Sequence, residues 1–362
     1  MAVGVIHERN KKMSNKELSC ITTNLICAKL FLLYPRELIK TSGTAAWIEM
    51  LYVTLIALAL FFVTQKFYTQ NKNVIELAHI RFGRVGRVIT GVLVIFVLFC
   101  LLISVMRIFS ESVKIVLLQD TDTDLILGVF VVCSCLGALF GVKSISKITA
   151  MVLPVVAVLF VGFLLFLSRN YRIENLVPLF GLGFKSIFLK GIRSLYVFCD
   201  IIILNLLIPH TQSLSSVKKS GFFAIIISGL AGVLICLAYA LIFPYPASEE
   251  FIMPVYQLTR IINLSSFFNR FEALFQFAWS ILILLYGAMY IYIISYAWQL
   301  TFSLKYKKPL MLGIALAAGG FALMPDSIMS SISSLRYFEF VLIIIAFGLP
   351  IAVGCCKRRR IL

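Results

Sequence analysis

Acidic side chains are scarce in this chain, with 16 Asp and Glu against 33 Lys and Arg, and histidine is almost absent at three copies in 362 residues. Charged residues of both signs together make up only 14% of a chain that is 61% hydrophobic, with a mean hydropathy of +1.00. No soluble fold covers that much apolar surface with so little charge, so a soluble globular domain is excluded. His7, His79 and His210 are scattered over loops, which leaves no His/Cys/carboxylate set at metal-ligand spacing. The chain also lacks a Walker lysine pattern and a nucleophile elbow, and Gly181-x-Gly183 stops one glycine short of a dinucleotide loop. The reading is therefore not an enzyme, with no metal and no cofactor. Seven of the nine cysteines lie in apolar segments, where thiols pack as small hydrophobes, so no disulfide framework is indicated. Asn263-Leu-Ser265 fits a glycosylation acceptor, a pattern too short to weigh.

What is present is a series of apolar runs separated by basic loops. The net charge of +17 does not point to nucleic acid, because the basic residues are spread over loops and not clustered with aromatics. Ten runs are long enough to read as helices, over 18–35, 45–64, 88–107, 124–141, 148–168, 187–208, 221–242, 271–302, 309–324 and 337–354. The eighth is 32 residues with almost no polar interruption, more than the ~20 that span a bilayer, so one long tilted helix is the economical reading. With the N-terminus inside, the cytoplasmic segments hold twice as many lysines and arginines as the outside loops, which predicts that both termini are cytoplasmic.

The predicted fold is an all-α polytopic membrane protein of one transmembrane domain. Its ten transmembrane helices divide into a five-plus-five inverted repeat, about 18–168 and 187–354. The first helix of each half is short and interrupted by charge, so helices one and six are predicted to be broken, with a ligand site near the midplane between them.

Two charges make that site specific. Lys29 lies roughly eleven residues into the first apolar run, about 16 Å along a helix and near mid-depth, and Asp200 sits in the sixth. A charge at that depth costs at least ~2.5 to 3.5 kcal/mol and persists only toward a cavity or a partner. The two are predicted to approach each other across the broken helices. An i,i+7 pair between Arg193 and Asp200 is the strained alternative. Tyr286 and Tyr290 on helix eight, and Val97 and Leu101 on helix three, each share a face at i,i+4, a spacing more usual in packing surfaces than in sites.

Several short stretches occur in a characteristic order: Tyr34-Pro35-Arg36, Ala46-Trp47-Ile48, Arg107 with Glu111, Asn175-Leu176 with Pro178 and Gly181-x-Gly183, Phe243-Pro244-Tyr245-Pro246 running on to Pro254, and Arg270-Phe271-Glu272 followed by Trp279. In that order the sequence resembles the permease-like B subunits of bacterial spore germinant receptors, a branch of the amino acid/polyamine/organocation superfamily. The resemblance implies a broken-helix transporter fold, residence in the spore inner membrane, and sensing of a small nutrient, typically an amino acid. It also implies an A subunit and a lipoprotein C subunit as partners. It places the ligand among helices one, three, six and eight, at Ala28, Lys29 and Leu30, at Val97 and Leu101, at Phe198 and Asp200, and at Tyr286 and Tyr290. One departure stands out, since Ala28-Lys29-Leu30 occupies the helix-one break where such proteins commonly carry small, glycine-rich residues. The alternative function is a secondary amino acid transporter of the same superfamily.

Overall fold

The computed structural model describes residues 12–31, 34–68, 71–262, 271–325 and 327–356, without the side chains of Phe271, Glu272, Leu274 and Ile328. The Asn263-Leu-Ser265 pattern, Arg270 and the basic residues 357–360 lie outside these residues, as do the side chains of the Phe271-Glu272 pair.

The described chain is helical. Helix α1, Asn15–Leu30, starts from a capping box in which Ser14 Oγ accepts the Glu17 N–H at 3.2 Å and Glu17 Oε2 accepts the Ser14 N–H at 2.7 Å. Lys143 Nζ reaches the same Glu17 oxygen at 2.6 Å and fixes the start of α1 on the neighbouring helix. After Leu30 the helix stops, and α2, Tyr34–Ser42, begins a new one. The interruption therefore falls after Ala28-Lys29-Leu30, which is the last turn of α1, and not within those three residues as the sequence reading has it. Pro35 explains the position, because it has no N–H for the carbonyl of Phe31 four residues back and its ring would collide with it.

A short 3₁₀ turn, Gly43–Ala45, leads into α3, Ala46–Phe67. Helix α4, Val74–Val116, is more than twice the predicted 88–107 and absorbs much of the expected basic loop. Asn73 and Glu76 form a second capping box there, a start signal that the basic residues around it mask. Gly83, at φ 73° and ψ −157°, kinks α4 near its beginning. Helices α5, Thr123–Leu139, and α6, Gly141–Leu167, follow with only Phe140 between them.

The sixth predicted helix is realised as a composite segment, Lys185–His210. It opens as a π turn, Lys185–Lys190, tightens to eleven residues of 3₁₀ helix, Gly191–Ile201, and relaxes through α7, Ile202–Leu207, into a last 3₁₀ turn. Unlike α1 and α2, it runs on without a break. It changes pitch instead, and 3₁₀ runs beyond three or four residues are uncommon. The chain continues through α8, Leu214–Ile242, α9, Pro254–Arg260, α10, Phe271–Phe302, α11, Lys308–Leu323, α12, Ile328–Ile343, and α13, Leu349–Cys355. The eighth predicted helix is matched end to end by α10.

Among the described residues, seven helical stretches are long and apolar enough to cross a bilayer, namely Tyr34–Phe67, Val74–Val116, Gly141–Asn170, Lys185–His210, Leu214–Ile242, Phe275–Phe302 and Met329–Cys355, and α5 and α11 are shorter apolar helices. Two stretches are buried on every face: each residue from Ile21 to Leu30, and each from Ser194 to Ile208. These two segments form the axis of the molecule, with α1 packed against α6, α8, α10 and the composite segment. A polar side chain on either one points into protein and not into lipid, which is why charges survive there. Around the axis the packing is close. A Cβ on Gly229 of α8 would fall 2.3 Å from Thr54 of α3, and one on Gly232 would fall 2.5 Å from Met50, the small-residue contact typical of membrane helices.

Candidate functional site

At the centre, the last turn of α1 presents Lys29 to the end of the 3₁₀ stretch. Lys29 Nζ lies 2.6 Å from Asp200 Oδ2, and the two side chains are 7% and 0% exposed. The ammonium also donates to the Tyr196 carbonyl at 3.3 Å and sits 5.7 Å from the centre of the Tyr196 ring. On the other side of the carboxylate, Tyr290 and Tyr286 of α10 both donate to Asp200 Oδ1, Tyr286 at 3.5 Å. The two rings stack at 4.3 Å, so their i,i+4 spacing delivers two hydroxyls to one oxygen.

The predicted cross-helix pair is thus formed, and the same-helix alternative is not: Arg193 turns to Glu339 of α12, Nε to Oε2 3.8 Å. Of the nine predicted site residues, the structure brings Lys29, Asp200, Tyr286 and Tyr290 into one polar cluster. Ala28, Leu30, Val97, Leu101 and Phe198 are buried in the hydrophobic core, none more than 1% exposed. The two cavities nearest the axis contain none of the nine. One is a small space bounded by Phe31, Ile108, Gln276 and Trp279. The other, about 490 Å³, opens between α2, the composite segment and α12. In this arrangement the central cluster is closed from both.

Sequence reasoning missed three neighbours. Tyr196 lies between the larger cavity, which it lines, and Lys29. Tyr34, opening α2, donates to the Ser194 carbonyl at 2.7 Å and meets the Tyr196 ring edge-on at 5.8 Å. Glu49 is a fully buried carboxyl in α3 that accepts from Ser42 Oγ and Ser194 Oγ, each at 2.5 Å. Beside Trp47 and Ile48 it reads as an ordinary first-turn acid, and only its position at the head of an apolar run marks it.

The Asn175 to Gly183 stretch is explained by the same region. Asn175 Nδ2 donates to the carbonyls of Leu241 and Ile242 at 3.0 and 3.3 Å, and the Pro178 carbonyl accepts from Thr44 Oγ1 at 2.5 Å. Gly181, at φ 46°, lies so close to the backbone that a Cβ would fall 1.9 Å from the Ser42 carbonyl oxygen. The stretch is a strap that holds the start of the composite segment on the α2–α3 junction.

The sequence model of one family, described as "Spore germination protein", matches residues 12–331. This chain belongs to that family. Spore germination protein B2 of Bacillus subtilis (strain 168) is 23% identical to it over 266 residues, 73% of this chain and 72% of that protein. With those findings and the seven long apolar helices, this member of the spore germination permease family is an integral membrane protein. Among solved structures it is similar to MHP1, a nucleobase-cation-symport-1 family transporter in a closed conformation with bromovinylhydantoin bound. The TM-score is 0.68 at 13% identity, covering 93% of this chain and 78% of that one. At that identity the likeness is one of fold, and it places this spore germination protein in the transporter-like architecture that its sequence resembles.

Proposed function

We propose that this chain is the nutrient-sensing subunit of a spore germinant receptor in the spore inner membrane, and that it binds an amino acid at the Lys29–Asp200 centre and signals to A and C subunits. The observation that carries this reading is the closed pair itself. An α-amino acid brings one carboxylate and one ammonium, so it can replace both halves of the pair at once, carboxylate on Lys29 and ammonium on Asp200. Its side chain would be met by Val97, Leu101, Phe198 and the tyrosines, with Ala28 and Leu30 flanking. Opening the pair loosens α1 from the composite segment, and the resulting shift is what a partner would read.

In this proposal the chain crosses the membrane ten times, with α1 and α2 as the first span and the composite segment as the sixth. The two halves, 18–168 and 187–354, form the inverted repeat, and both termini are cytoplasmic. The likeness to a transporter favours one second reading, uptake of an amino acid by alternating access.

Spores carrying Asp200→Asn in an otherwise intact receptor are expected to lose germination on one nutrient and keep it on others. Normal germination on every nutrient after deletion of the gene would refute the sensing role. Concentrative uptake of labelled amino acids into vesicles holding this chain alone would decide for transport.

A further inference from the structure

Glu49 has a setting that neither the central pair nor the sensing role uses. It is 0% exposed, and among the described residues it enters no ion pair, all five of which are made by other carboxylates. Each of its oxygens instead accepts one serine hydroxyl at 2.5 Å, Oε2 from Ser42 at the end of α2 and Oε1 from Ser194 in the 3₁₀ stretch. A Cβ on Gly191 would fall 2.8 to 2.9 Å from the Glu49 side chain, so backbone closes directly over the carboxyl. Besides the amino-terminal turn of α3, two neutral hydroxyls are what compensates this buried carboxyl, and a buried anion without a cation is costly.

A serine hydroxyl can both donate and accept. With Glu49 charged, both serines donate to it. With Glu49 protonated, its O–H donates to one serine, whose own hydrogen turns elsewhere. The same cage therefore holds either state without rearranging the backbone. Ser194 also lines the 490 Å³ cavity, so one hydroxyl links the carboxyl to the open space.

The titratable groups around it are limited. Tyr34 faces it from α2 and Cys236 from α8. The 3₁₀ turn Gly43–Ala45 and the π turn Ile344–Gly348, both packed on α3, carry no titratable side chain. Lys190 and Arg193 of the composite segment, with Glu37, Lys40, Arg336 and Glu339, line the cavity beyond Ser194, whereas Lys185 and Asp200 of the same segment do not.

We propose that Glu49 is a proton-binding site of this protein, connected to the cavity between α2, the composite segment and α12 through the Ser194 hydroxyl. The step is a relay: a hydronium ion in the cavity gives a proton to Ser194 Oγ and is left as water, while the Ser194 hydroxyl hydrogen passes to Glu49 Oε1, so that two O–H bonds break and two form. A proton on Oε1 reverses the bond to Ser194 in the composite-segment wall of the cavity, while Ser42 of α2 goes on donating to Oε2. Occupancy of the cavity and of Glu49 is therefore linked, whether the chain senses or transports.

Infrared difference spectra of the purified full-length chain in lipid, recorded between acid and alkaline pH, test this. The expected result is a carboxylic C=O band that disappears at alkaline pH and is missing from Glu49→Gln. Bands from Asp200 or Glu339 would persist in that variant. A set of titrating bands identical in Glu49→Gln and the parent chain would overturn the proposal. Ser194→Ala leaves the acid in place and removes one hydroxyl, so it serves where Glu49→Gln does not fold. Its band is expected to shift in frequency, and an unshifted band would overturn the link to the cavity.

Discussion

At the scale of single residues, the centre of the molecule depends on charge compensation without water. Lys29 and Asp200 are each buried to a degree at which an isolated charge is untenable, and each is held by the other plus neutral donors or acceptors from Tyr196, Tyr286 and Tyr290. Breaking one side of such a pair typically costs 3–5 kcal/mol, because the remaining charge is left uncompensated. Lys29→Met or Asp200→Asn alone is therefore expected to lower the thermal unfolding midpoint in detergent strongly, and the double variant is expected to recover much of the loss. Additive losses in this double-mutant cycle would show that the two side chains are not energetically coupled. By contrast, the Arg336–Glu37 contact joins half-exposed Arg336 to Glu37, and solvent screening leaves it little to contribute to stability. Both central charges were legible in the sequence, because a lysine and an aspartate deep in apolar runs have few alternatives to each other. Tyr196 and Glu49 were not, since a tyrosine in an apolar helix and an acid near a helix start are both ordinary in sequence and become unusual only through what packs on them.

At the scale of elements, two glycines separate backbone strain from steric contact. Gly83 has positive φ with nothing within 4 Å of where a Cβ would stand, whereas Gly181 combines positive φ with the Ser42 carbonyl at 1.9 Å. Gly83→Ala is expected to cost about 1–3 kcal/mol, because φ 73° with ψ −157° is a backbone region that essentially only glycine occupies. Gly181→Ala must in addition push the strap off the α2–α3 junction, so its unfolding midpoint is expected to fall clearly further. Equal shifts for the two would mean that the strap is not held where it is described. The sequence shows where most helices lie but not their pitch. Burial alone does not set the tight pitch of Gly191–Ile201, since the equally buried Ile202–Leu207 is an ordinary α-helix, and no local pattern of residues announces it. The length of α4 was hidden for a different reason: hydropathy locates the apolar middle of a helix, whereas its basic amino-terminal third is fixed by the Asn73–Glu76 cap.

At the scale of the whole molecule, the proposed ten-span topology makes a simple demand. Reporter fusions at the N-terminus, at the α5–α6 junction at Phe140 and at the C-terminus are expected to report the cytoplasm, and a fusion within 169–184 the opposite face. A reporter at 169–184 active on the same side as the N-terminus would break the five-plus-five arrangement. The all-helical membrane architecture was readable from hydropathy because a bilayer permits so few solutions. The sealing of the axis from the larger cavity was not, since it depends on Tyr196 packing beside Lys29.

Ser42 has one further consequence. Its hydroxyl goes to Glu49 in α3, its carbonyl receives the Leu182 N–H at 3.3 Å, and Gly181 presses on the same oxygen. Three parts of the chain are pinned at one point, as by a rivet through stacked plates. Helix α2 cannot swing without dragging the lead-in to the composite segment, so the two behave as a single crank whose stroke is set at this joint.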